Sequence, residues 1–432
     1  MKQNNILTSA ISGNILEYYD FTVFTIFIEV IGRNFFPQAS SVSQVLYGLA
    51  VFATGFITRP IGGIVFGYIG DKFGRKLSLI LSMLGMTVPT FCIGLLPTYA
   101  QIGILAPLLL VVCRLVQGLC ISGEGAGTAI FVLEHDHNLK PGFVTSLVHA
   151  SNIAGTLIAS FIGIFLEHFY PGNPNVWRFA FLLGGAFGLA GLYLRLKVSE
   201  TPIFQMLLEK KKSLKSPFLS VVKNSWRAMV LTFFCGAVTS SLVYLVKTYV
   251  KVFYYDVMHL DNKVSLFYLS YCSFVLMLSM PFFGFLSDLF DRAKVIICAT
   301  IAILLLIIPT LLLMSGGSTI QHLMALTLLG ILAGSISGVS YLFVISLFRP
   351  EERFSGVAFS YNFGIAIFGG TSAIISRYLV ERTGLFYAPG FYIILTSSLF
   401  LIALAAVYKS KSRARFFSAA SVVKKQSPAH IN

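Results

Sequence analysis

A ten-residue turn rich in charge and glycine, Gly67-Tyr-Ile-Gly-Asp71-Lys72-Phe-Gly74-Arg75-Lys76, lies between two long apolar runs. A worn copy, Gly284-Phe-Leu-Ser-Asp288-Leu-Phe-Asp291-Arg292, lies 217 residues further on. A tight charged turn between membrane helices, present once in each half, points to two related helical bundles, the build of transporters whose halves rock about a central site. Twelve apolar runs fit that frame: about 11–36, 44–69, 78–97, 106–130, 142–166, 178–196, 228–252, 264–287, 293–314, 321–346, 354–380 and 386–408. With a rise of 1.5 Å per residue, about 20 residues cross the hydrocarbon. A barrel would show short alternating strands, which runs such as Ile297–Leu313 exclude. With 56% hydrophobic and 11% charged residues, no soluble domain could cover the apolar surface.

The expected fold is therefore an all-α integral membrane protein of twelve transmembrane helices in two pseudo-symmetric six-helix bundles. The divisions expected are a first bundle over 1–196, a polar inter-bundle loop over 197–227, a second bundle over 228–408 and a basic tail over 409–432. Cations gather in the even-numbered connections (Lys72, Arg75 and Lys76 after helix two, Lys140 after four, Arg292 and Lys294 after eight), in the loop and in the tail. Lys and Arg of short loops are held in the cytoplasm, so both termini are expected there. The net charge of +15 then reflects topology beside an anionic leaflet, and no nucleic-acid partner is expected. The start has one cation and no small-residue cleavage site, so the first apolar run is expected to stay as a helix. The six cysteines lie in apolar runs without CxxC spacing, so neither disulfide nor metal site is indicated.

Ionisable groups inside the spans are the candidates for function, because burying them in hydrocarbon is costly. Arg59 lies 12 residues before Asp71, about 18 Å from the end of helix two and near mid-membrane. Arg114 in helix four is similarly placed. Each either ties helices together or holds a solute carboxylate through its forked donors. Glu17 and Asp20 share a face of helix one. Two carboxylates so close do not both ionise easily, which suits a proton carrier. Gln117 and Glu124 share a face of helix four, with Arg114 turned roughly 80° away from Glu124. Glu29 and Glu134, nearer helix ends, are expected to be solvated. Lys247 is expected to snorkel to the outer interface, a cavity-facing role being the alternative. Tyr244, Tyr249, Tyr341, Tyr361 and Asn362 are candidates for the opposite wall, with helix packing as the alternative for each aromatic. His149 and Asn152, on one face of helix five, either join a polar relay or leave the histidine as a satisfied interior residue.

Several blocks together resemble the major facilitator superfamily, and within it the metabolite:proton symporter family of proline/betaine, 2-oxoglutarate, citrate and shikimate carriers. They are Gly13-Asn14-Ile-Leu-Glu17-Tyr18-Tyr19-Asp20-Phe21, Arg59-Pro60-Ile-Gly62-Gly63 running into Gly67–Lys76, Arg114-Leu-Val-Gln117-Gly118 with Gly123-Glu124, and Trp177-Arg178 through Leu194-Arg195 to Glu200-Thr201-Pro202-Ile-Phe204. Tyr361-Asn362 with Phe368-Gly369-Gly370 is similar to the family's helix eleven. The resemblance implies a proton-driven importer in the bacterial inner membrane, with its site between the bundles and no cofactor. Its partners would be a small metabolite, the proton and the lipid bilayer. It implies gating by Gly67, Asp71, Lys72, Gly74, Arg75 and Lys76 with Asp288 and Arg292, the second latch being asymmetric because Leu289 and Asp291 stand where a cation and glycine are usual. Ser122 and Gly125 also depart from the family's helix-four pattern, and the short tail lacks the apolar heptads of osmosensing relatives.

On these residues the expected function is proton-coupled import of a carboxylate-bearing metabolite, foremost a zwitterion such as proline or betaine. Arg59, Arg114, Gln117, Tyr361 and Asn362 are the expected solute ligands, and Glu17, Asp20 or Glu124 the proton carrier. A 2-oxoglutarate, citrate or other carboxylate symporter, an effluxer of the same fold, a passive facilitator and a transport-dead sensor are the alternatives. Glu134-His135-Asp136-His137 lacks metal-site spacing, and no enzyme is expected.

Overall fold

The computed structural model describes residues 3–135, 140–170, 173, 175–210, 214 and 216–409, all in helices and their connections. Helix α1 runs Gln3–Ile26 and resumes as Ile28–Phe35. Helix α2 joins Ser41–Ile57 to Arg59–Lys72, α3 is Arg75–Leu95, and α4 is Leu105–Cys120 and Gly125–His135 about a 3-10 turn, Ile121–Gly123. Helices α5 (Pro141–Phe169) and α6 (Val176–Leu196) complete the first bundle. The second contains α7 (Trp226–Val257), α8 (Asn262–Leu289), α9 (Arg292–Met314), α10 (Thr319–Ile345), α11 (Arg353–Thr383) and α12 (Pro389–Lys409). Helices α2 to α12 are long and apolar enough to cross a membrane. Helix α1 carries Glu17, Asp20, Glu29 and Arg33 and completes the twelve-helix fold.

The apolar runs locate every helix, and the ends shift for local reasons. Helix α1 starts earlier than its apolar run because its first turns are polar residues that need no bilayer. Helix α12 starts later, at Pro389, whose fixed φ and missing N–H suit a first helical turn. The segment 197–227 is not all loop. It holds Pro202–Glu209, capped where Phe204 N–H donates to the Thr201 hydroxyl (3.2 Å), and Pro217–Asn224. The basic tail from Lys411 on lies outside the described residues.

Besides α1, four helices are interrupted within their spans. Thr58 breaks α2 just ahead of Arg59-Pro60, and its hydroxyl donates to the Leu115 carbonyl of α4 (3.1 Å). Proline at the second position cannot donate the N–H that would continue the preceding helix. The 3-10 turn in α4, and π turns at Leu245–Tyr249 in α7 and Ile365–Gly369 in α11, re-aim the side chains around them.

The two bundles meet most tightly at the end that carries the α2–α3 and α8–α9 turns. There α2 lies on α11 so closely that a Cβ added at Gly67 would sit 2.6 Å from the Ser355 Cα. Only glycine permits that approach. Gly74, in the turn, has φ +123, a conformation that side chains resist. Helix α5 meets α8 with Gly142 against Gly284.

Candidate functional site

The arginines of mid-span differ in company. Arg114 is fully buried, with Nη1 3.4 Å from the Asp20 carboxylate and donating to Gln117 Oε1 at 2.9 Å. Gln117 donates in turn to Asp20 Oδ2 (2.8 Å) and to the Thr90 hydroxyl (2.9 Å). The guanidinium lies 3.7 Å from the centre of the Phe24 ring. Asp20, Arg114 and Gln117 thus form one network inside the first bundle. Glu17, one turn away, has its side chain outside the described residues.

Arg59 is just as buried and has no carboxylate within ion-pair distance among the described residues. Its guanidinium lies 4.7 Å from the Phe56 ring centre and 5.2 Å from that of Phe21. Nε and Nη2 have no hydrogen-bond partner among the described residues. Such a cation costs several kcal/mol in hydrocarbon, roughly 2.5 or more. Ring quadrupoles offset part of this, on the order of 1–2 kcal/mol.

Across the interface, the Phe56 ring meets Tyr244 of α7 at 5.6 Å, and Lys247 Nζ lies 4.3 Å from the Tyr18 ring of α1. Lys247 therefore does not snorkel outward. Helix α7 runs to Val257, ten residues past the lysine, so Lys247 is about 15 Å from that end and cannot reach it. His149 of α5 stacks on Tyr341 of α10 (4.2 Å) and shares a hydrogen bond with the Ser337 carbonyl (2.8 Å). Tyr341 meets Tyr361 edge to face (5.5 Å). Asn362 spends its amide on backbone, donating to the Ser122 carbonyl of α4 (3.1 Å) and to Ala358 (2.8 Å). It positions α11 against α4.

Glu124 sits in a second network. It forms an ion pair with Arg195 of α6 and accepts from the Ser82 hydroxyl (2.9 Å), while Arg195 also donates to the Leu79 carbonyl (3.0 Å). The sequence marks Arg195 only as part of the helix-six block and not as a site residue, because it closes an apolar run, where a cation usually reaches water. It is 4% exposed. Replacing Arg195 with alanine would leave Glu124 a buried, unpaired carboxylate, at a cost of about 3–5 kcal/mol. Thermal unfolding in detergent should show a large fall in midpoint, and an unchanged midpoint would contradict the pairing.

At the turn end, the expected latch residues behave unequally. The Asp71 carboxylate accepts from the Phe354 and Ser355 N–H groups (3.2 and 2.8 Å), at the start of α11. Asp288 does the same at the start of α5, from Gly142 (2.7 Å) and Phe143 (2.8 Å). Each half thus places one carboxylate on a helix N-terminus of the other half, where the helix dipole favours it. Arg75 lies 3.4 Å from Asp71 and 3.0 Å from Glu134, and donates to the Pro350 carbonyl (2.6 Å). Glu134 is not solvated, contrary to expectation. It is fully buried between Arg75 and Arg353 (3.3 Å), because α11 folds over the end of α4. Glu29 is exposed beside Arg33. Lys72 packs on Tyr68 and Phe73, Lys76 donates to the Leu196 carbonyl (3.0 Å), and Arg292 feels Asp291 and Asp288 only through space.

The chain is 29% identical to the proline/betaine transporter of Salmonella typhimurium over 425 residues, covering 95% of this chain and 85% of the relative. It is 30% identical to the ectoine/proline transporter ProP of Corynebacterium glutamicum, covering 94% and 84%. A putative proline/betaine transporter of Staphylococcus haemolyticus is 31% identical, with 92% and 86% covered. Among solved structures, the proton:xylose symporter XylE bound to 6-bromo-6-deoxy-D-glucose superposes with a TM-score of 0.73 at 16% identity, over 94% of this chain and 95% of that one. Residues 10–360 match the family described as the Major Facilitator Superfamily. Paired bundles, twin charged turns and buried charges at their interface are what that match leads one to expect, and the chain belongs to the major facilitator superfamily of multi-pass membrane transporters.

Proposed function

We propose that this transporter imports a small zwitterion of the proline or betaine class together with a proton, by alternating access, in a bacterial inner membrane with both termini in the cytoplasm. The observation that carries the reading is Arg59: a buried guanidinium with two nitrogens lacking partners among the described residues, resting on Phe56 where that ring meets Tyr244 of the second bundle. A solute carboxylate supplies the charge it lacks. The names of the relatives support the solute class. Aromatic faces of Tyr341 and Tyr361 on the opposite wall suit an amine or quaternary ammonium.

The Asp20–Arg114–Gln117 network supplies coupling. Protonating Asp20 releases Arg114 from its counter-charge, so proton and solute carboxylate each change the charge balance that the other meets. Glu124, engaged by Arg195, is a weaker candidate for the primary carrier. In this arrangement the cytoplasmic side is shut. Asp71 and Asp288 hold the helix N-termini opposite, and Arg75, Glu134 and Arg353 reinforce the first of them. Opening inward means parting these bonds as units 1–196 and 228–408 rock, with 197–227 as the link. Lys72, Lys76 and Arg292 stand outside the bonded latch.

Proteoliposomes under an inward proton gradient, offered labelled proline, glycine betaine, 2-oxoglutarate and citrate, test the reading. The expected result is accumulation of a zwitterion that collapses with a protonophore. Accumulation of a dicarboxylate instead would favour the second reading, which Lys247 and Arg59 on opposite walls also allow. Equilibration insensitive to the protonophore would make the chain a facilitator.

A further inference from the structure

We infer that proton and solute enter the cell by different routes: the proton passes from Asp20 through the interior of the first bundle to Glu124 and out past Arg195 and Lys76, while the solute leaves between the bundles. The inference rests on the symport and orientation proposed above.

A cavity of about 20 Å³ lies inside the first bundle with Asp20 at one end and Glu124 at the other, walled by Thr87 and Thr90 of α3 and by glycines of α1 and α6. A water needs about 10–15 Å³ and two or more polar partners. The two carboxylates and the two threonine hydroxyls meet that need. Asp20 Oδ1 is buried and has no protein hydrogen-bond partner among the described residues. Along α3, Ser82 beside Glu124 is eight residues from Thr90 beside Gln117, so the two carboxylates are offset by about 12 Å along the bundle. A second, separate cavity of about 10 Å³ is lined by Arg195 and by Lys76, the latter in the cytoplasmic turn.

The transfers are of protons alone. An O–H bond of protonated Asp20 breaks, the cavity water and the Thr90 and Thr87 hydroxyls pass the proton on, each giving up one proton as it takes another, and a new O–H forms on Glu124. That loosens Glu124 from Arg195, and water in the second cavity then takes the proton to the cytoplasm. The facing charges are Arg114 of α4 at Asp20, Arg195 of α6 at Glu124, and Arg195 with Lys76 at the second cavity. His149 of α5 faces Ser337 and Tyr341 instead.

The test uses proteoliposomes with a pH-sensitive dye inside and solute added outside. Thr87→Leu fills the cavity without touching a charge, and Glu124→Gln removes the receiving carboxylate. Each should cut solute-driven proton entry at least tenfold, while Thr87→Leu keeps solute counterflow, which needs no net proton transfer, within twofold of the parent. Should Glu124→Gln not fold, Thr87→Leu decides alone. Parental proton entry in a folded variant overturns the separate route. So does a parallel loss of counterflow and proton entry in Thr87→Leu. Solute entry without proton entry in the parent overturns the symport reading itself, and the route with it.

Discussion

Proteoliposomes carrying an Asp20→Asn variant should fill with solute only to the outside concentration, whereas the parent concentrates it about tenfold per pH unit of imposed gradient for one coupled proton. Asparagine resembles the protonated aspartate in shape. Its carbonyl can still accept from Gln117, which donates to Asp20 at 2.8 Å, and Arg114 keeps its bond to Gln117 at 2.9 Å. The network therefore survives while its titratable proton is gone. Counterflow, in which labelled solute exchanges for unlabelled, should persist. A variant that still accumulates solute would show that another group carries the proton.

The second large effect is expected at Arg59. Replacing it with alanine removes the charged hydrogen bonds to the solute carboxylate, worth about 1.5–3 kcal/mol, or a 10- to 150-fold weaker apparent affinity. Calorimetric titration of the detergent-solubilised protein and initial uptake rates both read this loss. Folding should not suffer, because no carboxylate among the described residues is left behind. Among the described residues Arg59 rests on Phe56 and Phe21 rather than on an anion. The contrast with Arg195→Ala is the informative part. One arginine is spent on function and its loss spares stability; the other neutralises Glu124 and its loss does not. Unchanged affinity in Arg59→Ala would transfer the carboxylate to Arg114 or Lys247.

The candidate site was partly legible from sequence. An arginine or carboxylate within an apolar run announces itself wherever it falls, so Arg59, Arg114, Asp20 and Glu124 could be picked out without coordinates. Their partners could not. Asp71 and Asp288 read as members of charge pairs with the cations beside them in the turn. Their main partners are backbone N–H groups at helix starts 283 and 146 residues away, which carry no side-chain signature. Lys247 was misread because the apolar run gave too short a helix seven, and Glu134 because nothing nearby in sequence covers it.

What the sequence by itself determined is the set of spans, their division into two halves and the ionisable groups within them. Those depend on local quantities: the number of consecutive apolar residues needed to cross the hydrocarbon, and the residues that interrupt them. What only the tertiary structure decided is which charges face one another. Asp20 meets Arg114 across 94 residues and Glu124 meets Arg195 across 71, leaving Arg59 without an acidic partner among the described residues. Pairing depends on the rotation and depth of each helix. Those are fixed by packing against helices far away in the chain, and no local pattern records them.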